Sequence, residues 1–292
     1  MILLNIFLYS ISIVFINIGI RSIITFISLK SSKLKQSTSY YINIKSIIIE
    51  FFVLLIPTSF LIYLLLVIQK YTLPDLIIIS IATILASLFS TYSFIIQPIM
   101  ELIRNDLYAY DVNIQNEIKK ITSYDVTVRI INSNVYNAYA TGILPSSKMI
   151  LIGRPLYEEL STIEILGIAL HELGHLHFKH LLKQYYANIV STFLFVISMF
   201  YLFPIVKTLL LIDEGLLIAF FAVVVGGILR IIPTIMQRKF EYQSDKYAAD
   251  IIGKEQYISA LNKVNMICKG ALEEGTITHP KLNNRIKNVF KK

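Results

Sequence analysis

One cysteine, no tryptophan, 8 prolines and 11 glycines in 292 residues remove several architectures at once. A lone Cys268 cannot form an internal disulfide, which excludes a cystine-stapled secreted fold and fits a reducing compartment or burial in lipid. Glycine and proline this scarce exclude collagen-like repeats and Pro/Gly-rich low-complexity chains. Charge is scarce as well. Charged residues make up 16% of the chain and hydrophobic ones 55%, with a mean hydropathy of +0.65, where a soluble domain carries about 25% charged residues. That balance excludes disorder and leaves more apolar surface than a water-soluble core takes up. Acids are the scarcer sign, 19 against 27 Lys and Arg, giving a formal net charge of +8. The bases flank apolar runs, so membrane topology accounts for them and no nucleic-acid partner is expected.

A helix crosses a bilayer with about 20 mostly apolar residues. Five runs meet that length: Ile2 to Ile20, Phe51 to Gln69, Leu76 to Met100, Tyr185 to Val206, and Gly215 to about Met236. The first lacks a basic leading region and a small-residue cleavage site, so it reads as a retained anchor rather than a signal peptide. The loop after it carries Arg21, Lys30, Lys33, Lys35 and Lys45 without an acid, whereas Asp213 and Glu214 make the turn between the last two runs acidic. The positive-inside bias then predicts an outside N-terminus and a multi-pass protein of the cell membrane. Residues 101–184 and the tail after Arg238 fall on the cytoplasmic side.

The insert between the third and fourth runs has a different texture. Val126, Val128 and Ile130 alternate with Thr127 and Arg129, the period of a half-buried strand. Asn137 to Thr141 and Met149 to Ile152 are two further extended stretches around Gly142 and Pro145, which predicts a small antiparallel sheet. A helix follows. Ser161 stands three residues before Glu164 as a capping box, and Leu160 is placed to staple onto Ile165.

On that helix lies His171-Glu172-Leu173-Gly174-His175. Positions four apart sit about 40° apart on one helical face, so both imidazoles can converge on one ion. Glu172 falls beside them and can hold a water without being a ligand. Zinc lowers the pKa of a bound water from 15.7 to about 7 and polarises a carbonyl, which is why this spacing reads as a zinc hydrolase. Catalytic zinc takes three protein ligands and keeps one position open. The third must come from elsewhere on the same side of the membrane. Glu241 and Asp245 are one helical turn apart just past the fifth run, two crossings after His175, and an even number of crossings returns the chain to its starting side. Glu241 is the expected third ligand. Asp245 is the expected acceptor for a ligand imidazole N–H, the contact that fixes a ring's tautomer. His177 and His180 fall off the 171/175 face or past it and read as cationic residues at a helix end.

These residues resemble the HtpX-type membrane metallopeptidases, which are related to the CAAX prenyl proteases. The marks are Asn137-Ala138-Tyr139-Ala140-Thr141-Gly142, the His171 to His175 pentad, the Glu241 to Asp245 block, and Thr278-His279-Pro280 with Arg285. The resemblance covers about Asp125 to the C-terminus. It implies a zinc endopeptidase with one Zn2+ per chain, hydrolysing membrane or misfolded proteins at the cytoplasmic face. It also implies that the strand from Asn137 to Gly142 is an edge to which a peptide substrate adds. His279 and Arg285 become candidate donors to the reaction's oxyanion. A plainer reading keeps Thr278 as a helix cap and Arg285 as a solvated surface group. Three apolar runs precede the catalytic region, where the HtpX-type pattern has one hairpin.

The expected fold is a mainly α membrane protein with about five transmembrane helices and a cytoplasmic zincin-like α+β catalytic domain. Its parts would be residues 1–100 (three spans), 101–184 (sheet and zinc helix), 185–237 (membrane hairpin) and 238–292 (second half of the catalytic domain). Glu172 is the expected general base. Two alternatives stand beside the peptidase: an intramembrane zinc protease, whose usual Asn-Pro-Asp-Gly run is absent, and a non-catalytic zinc-binding membrane scaffold.

Overall fold

The computed structural model describes residues 75–91, 94, 107–131, 136–210, 214–276 and 278–291. The first two apolar runs and the basic loop between them lie outside the described residues, as does most of the third run beyond Thr91. In chain order the elements are α1 (Asp75–Thr91), β1 (Leu107–Tyr110), α2 (Val112–Thr122), β2 (Thr127–Ile131), β3 (Ala138–Thr141), β4 (Met149–Gly153), α3 (Arg154–Glu159), α4 (Thr162–His177), α5 (His180–Leu210), α6 (Glu214–Ile252), α7 (Lys254–Ile267), α8 (Ala271–Glu274) and α9 (Leu282–Phe290). The described residues are mostly helical, with one four-stranded sheet. The described residues fall into two compact units, the first holding residues 75–91, 185–210 and 214–233, and the second the remainder.

The first unit is helical. Residues His180–Leu209 form the one described helix that is long and apolar enough to cross a membrane, with a mean hydropathy of 2.3 and 6% of its apolar window buried. Phe193, Leu194, Leu202, Ile205 and Leu209 are exposed along it, as side chains facing lipid would be. Pro233 lies inside α6. Lacking an N–H, a helical proline leaves the carbonyl four residues earlier without its usual partner. That carbonyl is Leu229's, and the Ser191 hydroxyl donates to it from α5 at 3.2 Å. Neighbouring Ser and Thr side chains make proline tolerable in a helix that cannot turn to water.

The second unit is built on a sheet of order β1-β2-β4-β3. β3 and β4 form the expected antiparallel hairpin, and β1 pairs antiparallel with β2. β2 and β4, however, run parallel, so the sheet is mixed rather than antiparallel. Burial explains the order. Met149, Ile150, Leu151 and Ile152 are each at most 1% exposed, and a strand apolar on both faces takes a central place between two neighbours. β3, with Tyr139 and Ala140 half-buried, is left at the edge.

α4 begins as its sequence indicates. Ser161 N–H and Oγ both donate to Glu164 Oε2 at 2.8 Å, and the capping box is complete. Leu160 and Ile165 join one apolar core with Ile114, Ile118, Val126, Val128, Ile150, Ile152, Leu170, Leu173, Tyr257 and Leu261. Every α4 residue from Ile165 to Gly174 is buried. The helix bearing the motif is thus clamped before its polar residues begin.

Candidate active site

α4 is held against α6 by the absence of a side chain. A Cβ added at Gly174 would lie 3.0 Å from Ser244 Cα and 3.1 Å from its Cβ, so glycine permits a backbone approach that alanine would resist. Across this contact His175 Nε2 lies 3.3 Å from His171 Nε2 and 3.3 Å from Glu241 Oε1. His171 Nε2 is 3.6 Å from Glu241 Oε2. Zinc bonds of about 2.1 Å in a tetrahedron put ligand atoms about 3.4 Å apart. Two imidazoles and one carboxylate, mutually within 4.8 Å, therefore fit a single zinc-sized ion with one position left for water.

Behind the first imidazole stands a buried ionic network. His171 Nδ1–H donates to Asp245 Oδ1 at 3.0 Å. The Tyr257 hydroxyl donates to the same oxygen at 2.5 Å and lies 3.0 Å from His171 Nδ1. Arg285 reaches Asp245 from α9, with Nη2 donating to Oδ1 at 2.6 Å and Nε donating to Oδ2 at 3.0 Å. Arg285 is 6% exposed and Asp245 not at all, so Arg285 is not the solvated surface group of the plainer reading. Burial pulls the His171 imidazole down, but Asp245 and Glu241 outweigh it and raise it to about 10. Burial likewise opposes ionisation of Asp245 and Glu241. Arg285 and His171 overcome it for Asp245, and His171, His175 and His279 for Glu241, holding both carboxyls well below their usual range. The field here favours positive charge, as a cation site requires.

Glu172 faces the sheet. The Ala140 N–H donates to its Oε2 at 2.7 Å. Gly153 N–H donates to Asn137 C=O at 2.8 Å, so strand alternation turns the backbone groups of Ala138 and Ala140 to the free edge. Thr141 ends the strand, and Gly142 makes the turn at φ +88°, where a Cβ would overlap the Ser147 carbonyl. On the other side, His279 Nδ1 lies 3.0 Å from Glu241 Oε2, with its side chain 58% exposed. A cavity of about 200 Å³ opens here, lined by His175, Leu181, Phe240, Glu241 and His279 among others. Thr278 does not cap the following helix, whose N-cap is Lys281.

Two residues outside the expected set belong to this cluster. Tyr257 gives no sequence signal, since it reads as one apolar residue of an amphipathic helix. His180 was expected as a cationic helix-end residue. Instead it is 2% exposed and in contact with His175. His177 does lie off the site, stacked on Tyr247 at 5.0 Å between ring centroids.

A buried motif helix, a carboxylate brought to its two imidazoles by a second helix, and an edge strand beside Glu172 together make the arrangement of a metallopeptidase, with three side chains that could hold one metal ion. The model of peptidase family M48 matches residues 113–292, more than half of the sequence, and the chain belongs to that family, as one of its HtpX-type members. It is 26% identical over 247 residues to Protease HtpX of Wigglesworthia glossinidia brevipalpis, covering 72% of this chain and 82% of that one. A Protease HtpX homolog of Methylacidiphilum infernorum is 26% identical over 152 residues, 49% of this chain and 51% of the relative. Among solved structures, S. mikatae Ste24p shares the fold at a TM-score of 0.61 and 19% identity, over 87% of this chain and 67% of that one.

Proposed function

We propose that this protein is a zinc endopeptidase of the membrane that cuts membrane or misfolded proteins at the cytoplasmic face. The observation that carries the reading is the convergence of His171, His175 and Glu241 on one point, with Glu172 fixed beside them by the edge strand. His171 Nε2, His175 Nε2 and a Glu241 oxygen would hold one zinc ion per chain. When bound, zinc supplies an acidified water and a polarised peptide carbonyl. Glu172 takes a proton from the attacking water and hands it to the leaving amine nitrogen, so no covalent enzyme intermediate forms. The Ala140 N–H keeps Oε2 engaged and leaves Oε1 to carry the proton. An extended substrate lies along Asn137 to Gly142, paired through the outward groups of β3 that Glu172 leaves free, the Ala138 N–H and C=O and the Ala140 C=O. His279, exposed at the rim, donates to the oxyanion. Arg285, whose Nε and Nη2 are both committed to Asp245, serves that site by holding Asp245 against His171.

The membrane part of the proposal keeps about five crossings, an outside N-terminus and a cytoplasmic catalytic domain. Its domains are those drawn from the sequence: residues 1–100, 101–184, 185–237 and 238–292. One described crossing helix and the parity of two crossings between His175 and Glu241 support it. Reporter fusions after residues 40, 140, 213 and 292 test it. The expected result is cytoplasmic signal at all but 213, and a periplasmic or external 140 fusion overturns the orientation. For activity, wild type and Glu172→Gln are incubated in detergent with candidate membrane proteins and new termini are sequenced. The variant should keep its zinc yet lose about 10²- to 10⁴-fold in cleavage. Equal cutting by both refutes the peptidase reading and leaves the zinc-binding scaffold.

A further inference from the structure

Metal-ligating imidazoles are held by whatever accepts their second N–H. For His171 that acceptor is the Asp245 carboxylate. Among the described residues no carboxylate lies against the second nitrogen of His175. Instead His175 Nδ1 lies 3.3 Å from His180 Nδ1, and His180 Nε2 lies 3.0 Å from Gln243 Oε1. We propose that His180 is a positioning residue for zinc, accepting the His175 Nδ1–H bond while Gln243 fixes its own tautomer.

The proton order follows from one requirement. Nε2 of His175 can bind a metal only through its lone pair, so the ring's proton must sit on Nδ1. His180 Nδ1 must then accept, which puts the proton of that ring on Nε2. Nε2–H in turn needs an acceptor, and the Gln243 carbonyl oxygen is there. Each link admits one donor and one acceptor, and reversing any link would place a proton on the metal-facing nitrogen.

The fold provides this arrangement through a break in the helix. On an uninterrupted helix a residue five positions past His175 would point about 140° away. α4 ends at His177, Lys179 takes the left-handed conformation at φ +56°, and α5 restarts at His180 with the ring folded back. Phe240 stacks on that ring at 4.1 Å between centroids, inclined by 11°, and the His175 ring stands at 77° to it with 5.1 Å between centroids. Phe240, Glu241 and Gln243 share α6, so one segment supplies the stacking ring, a metal ligand and the outer acceptor. The two ligand imidazoles thereby differ in kind, one backed by an anion and one by a neutral ring. A second buried carboxylate behind His175 would add negative charge to a site that already holds Glu241 and Asp245.

The inference rests on His171, His175 and Glu241 being metal ligands, and the test separates the two. Zinc affinity of the full chain in detergent is measured by competition with a chromophoric chelator, and the ligand field by Co(II) absorption. His180→Phe keeps a ring on Phe240 and removes the acceptor, and it should weaken zinc by about 10- to 100-fold and broaden the Co(II) bands. His180→Asn sets an oxygen near the position of Nδ1 and should recover affinity to within a few-fold of wild type. If the Phe variant does not fold, Gln243→Met removes only the outer acceptor and should weaken zinc by a smaller factor. Unchanged zinc affinity in His180→Phe, or an equally poor His180→Asn that remains folded, overturns the proposal. Failure of wild type to bind zinc would refute the metal site itself.

Discussion

Arg285 and Asp245 form a deeply buried ion pair, with two short hydrogen bonds between them. Removing Arg285 leaves the buried Asp245 with only His171 and Tyr257 against it, and breaking a buried pair at one end costs about 3–5 kcal/mol, whereas replacing both partners with apolar groups costs less. Arg285→Met should therefore lower the thermal midpoint more than Asp245→Leu combined with Arg285→Met, and calorimetry of the three proteins checks the order. A solvated Arg285 would give no such coupling. Cys268 offers an independent residue-scale test. Burial pushes its thiol up to about 11, and its Sγ–H points to the Tyr136 carbonyl at 3.6 Å. With little thiolate at pH 8, Cys268 should react with maleimide at least about tenfold slower in the folded protein than after denaturation, as read by intact mass. Equal rates would mean that the region around Tyr136 and α7 opens readily.

At the scale of elements, the distance between α4 and α6 decides whether three ligand atoms can share an ion. Glycine to alanine in an exposed helix gains about 0.5–1 kcal/mol from propensity and backbone entropy. At Gly174 the sign should reverse. The new methyl would meet Ser244 at 3.0–3.1 Å, and overpacking costs about 1–3 kcal/mol. Gly174→Ala should lower both the thermal midpoint and zinc affinity, while Gly174→Val should abolish binding; a more stable Gly174→Ala would contradict the close approach. This is also the scale at which legibility in the sequence changes. The capping box of Ser161 and Glu164 and the His171/His175 spacing are local, fixed by helix geometry alone, and could be read directly. The β3–β4 hairpin was readable from its turn residues. The insertion of β4 between β2 and β3 was not, because a short apolar run such as Met149 to Ile152 shows no period and its neighbours are chosen by burial in the assembled core. His180, read as a cationic residue at a helix end, was misplaced for a related reason: the break at Lys179 carries no glycine or proline, so nothing local shows that the next helix folds the ring back. Tyr257 acquires its role only when α7 packs beneath α4.

For the whole molecule, the ion is expected to join parts of the chain that are far apart in sequence. His171 and His175 precede the long apolar excursion of α5 and α6, Glu241 follows it, and His279 and Arg285 come from still later segments. A ligand that binds only the folded arrangement stabilises it by RT ln(1 + [L]/Kd), about 2.7 kcal/mol at a hundredfold excess over Kd. Chelation of the wild type should therefore lower its thermal midpoint. Glu241→Gln, lacking a ligand, should start lower and respond little to the same chelator. Hydrogen exchange locates the effect. Loss of protection should concentrate in the C-terminal half of α6 and in residues 278–291, where Glu241, His279 and Arg285 lie, and spare the sheet, whose apolar core of Val128, Ile150 and Ile152 contains none of the candidate ligands. A uniform loss across both regions would show that the ion is not a local clasp between these segments but a condition for folding the entire unit.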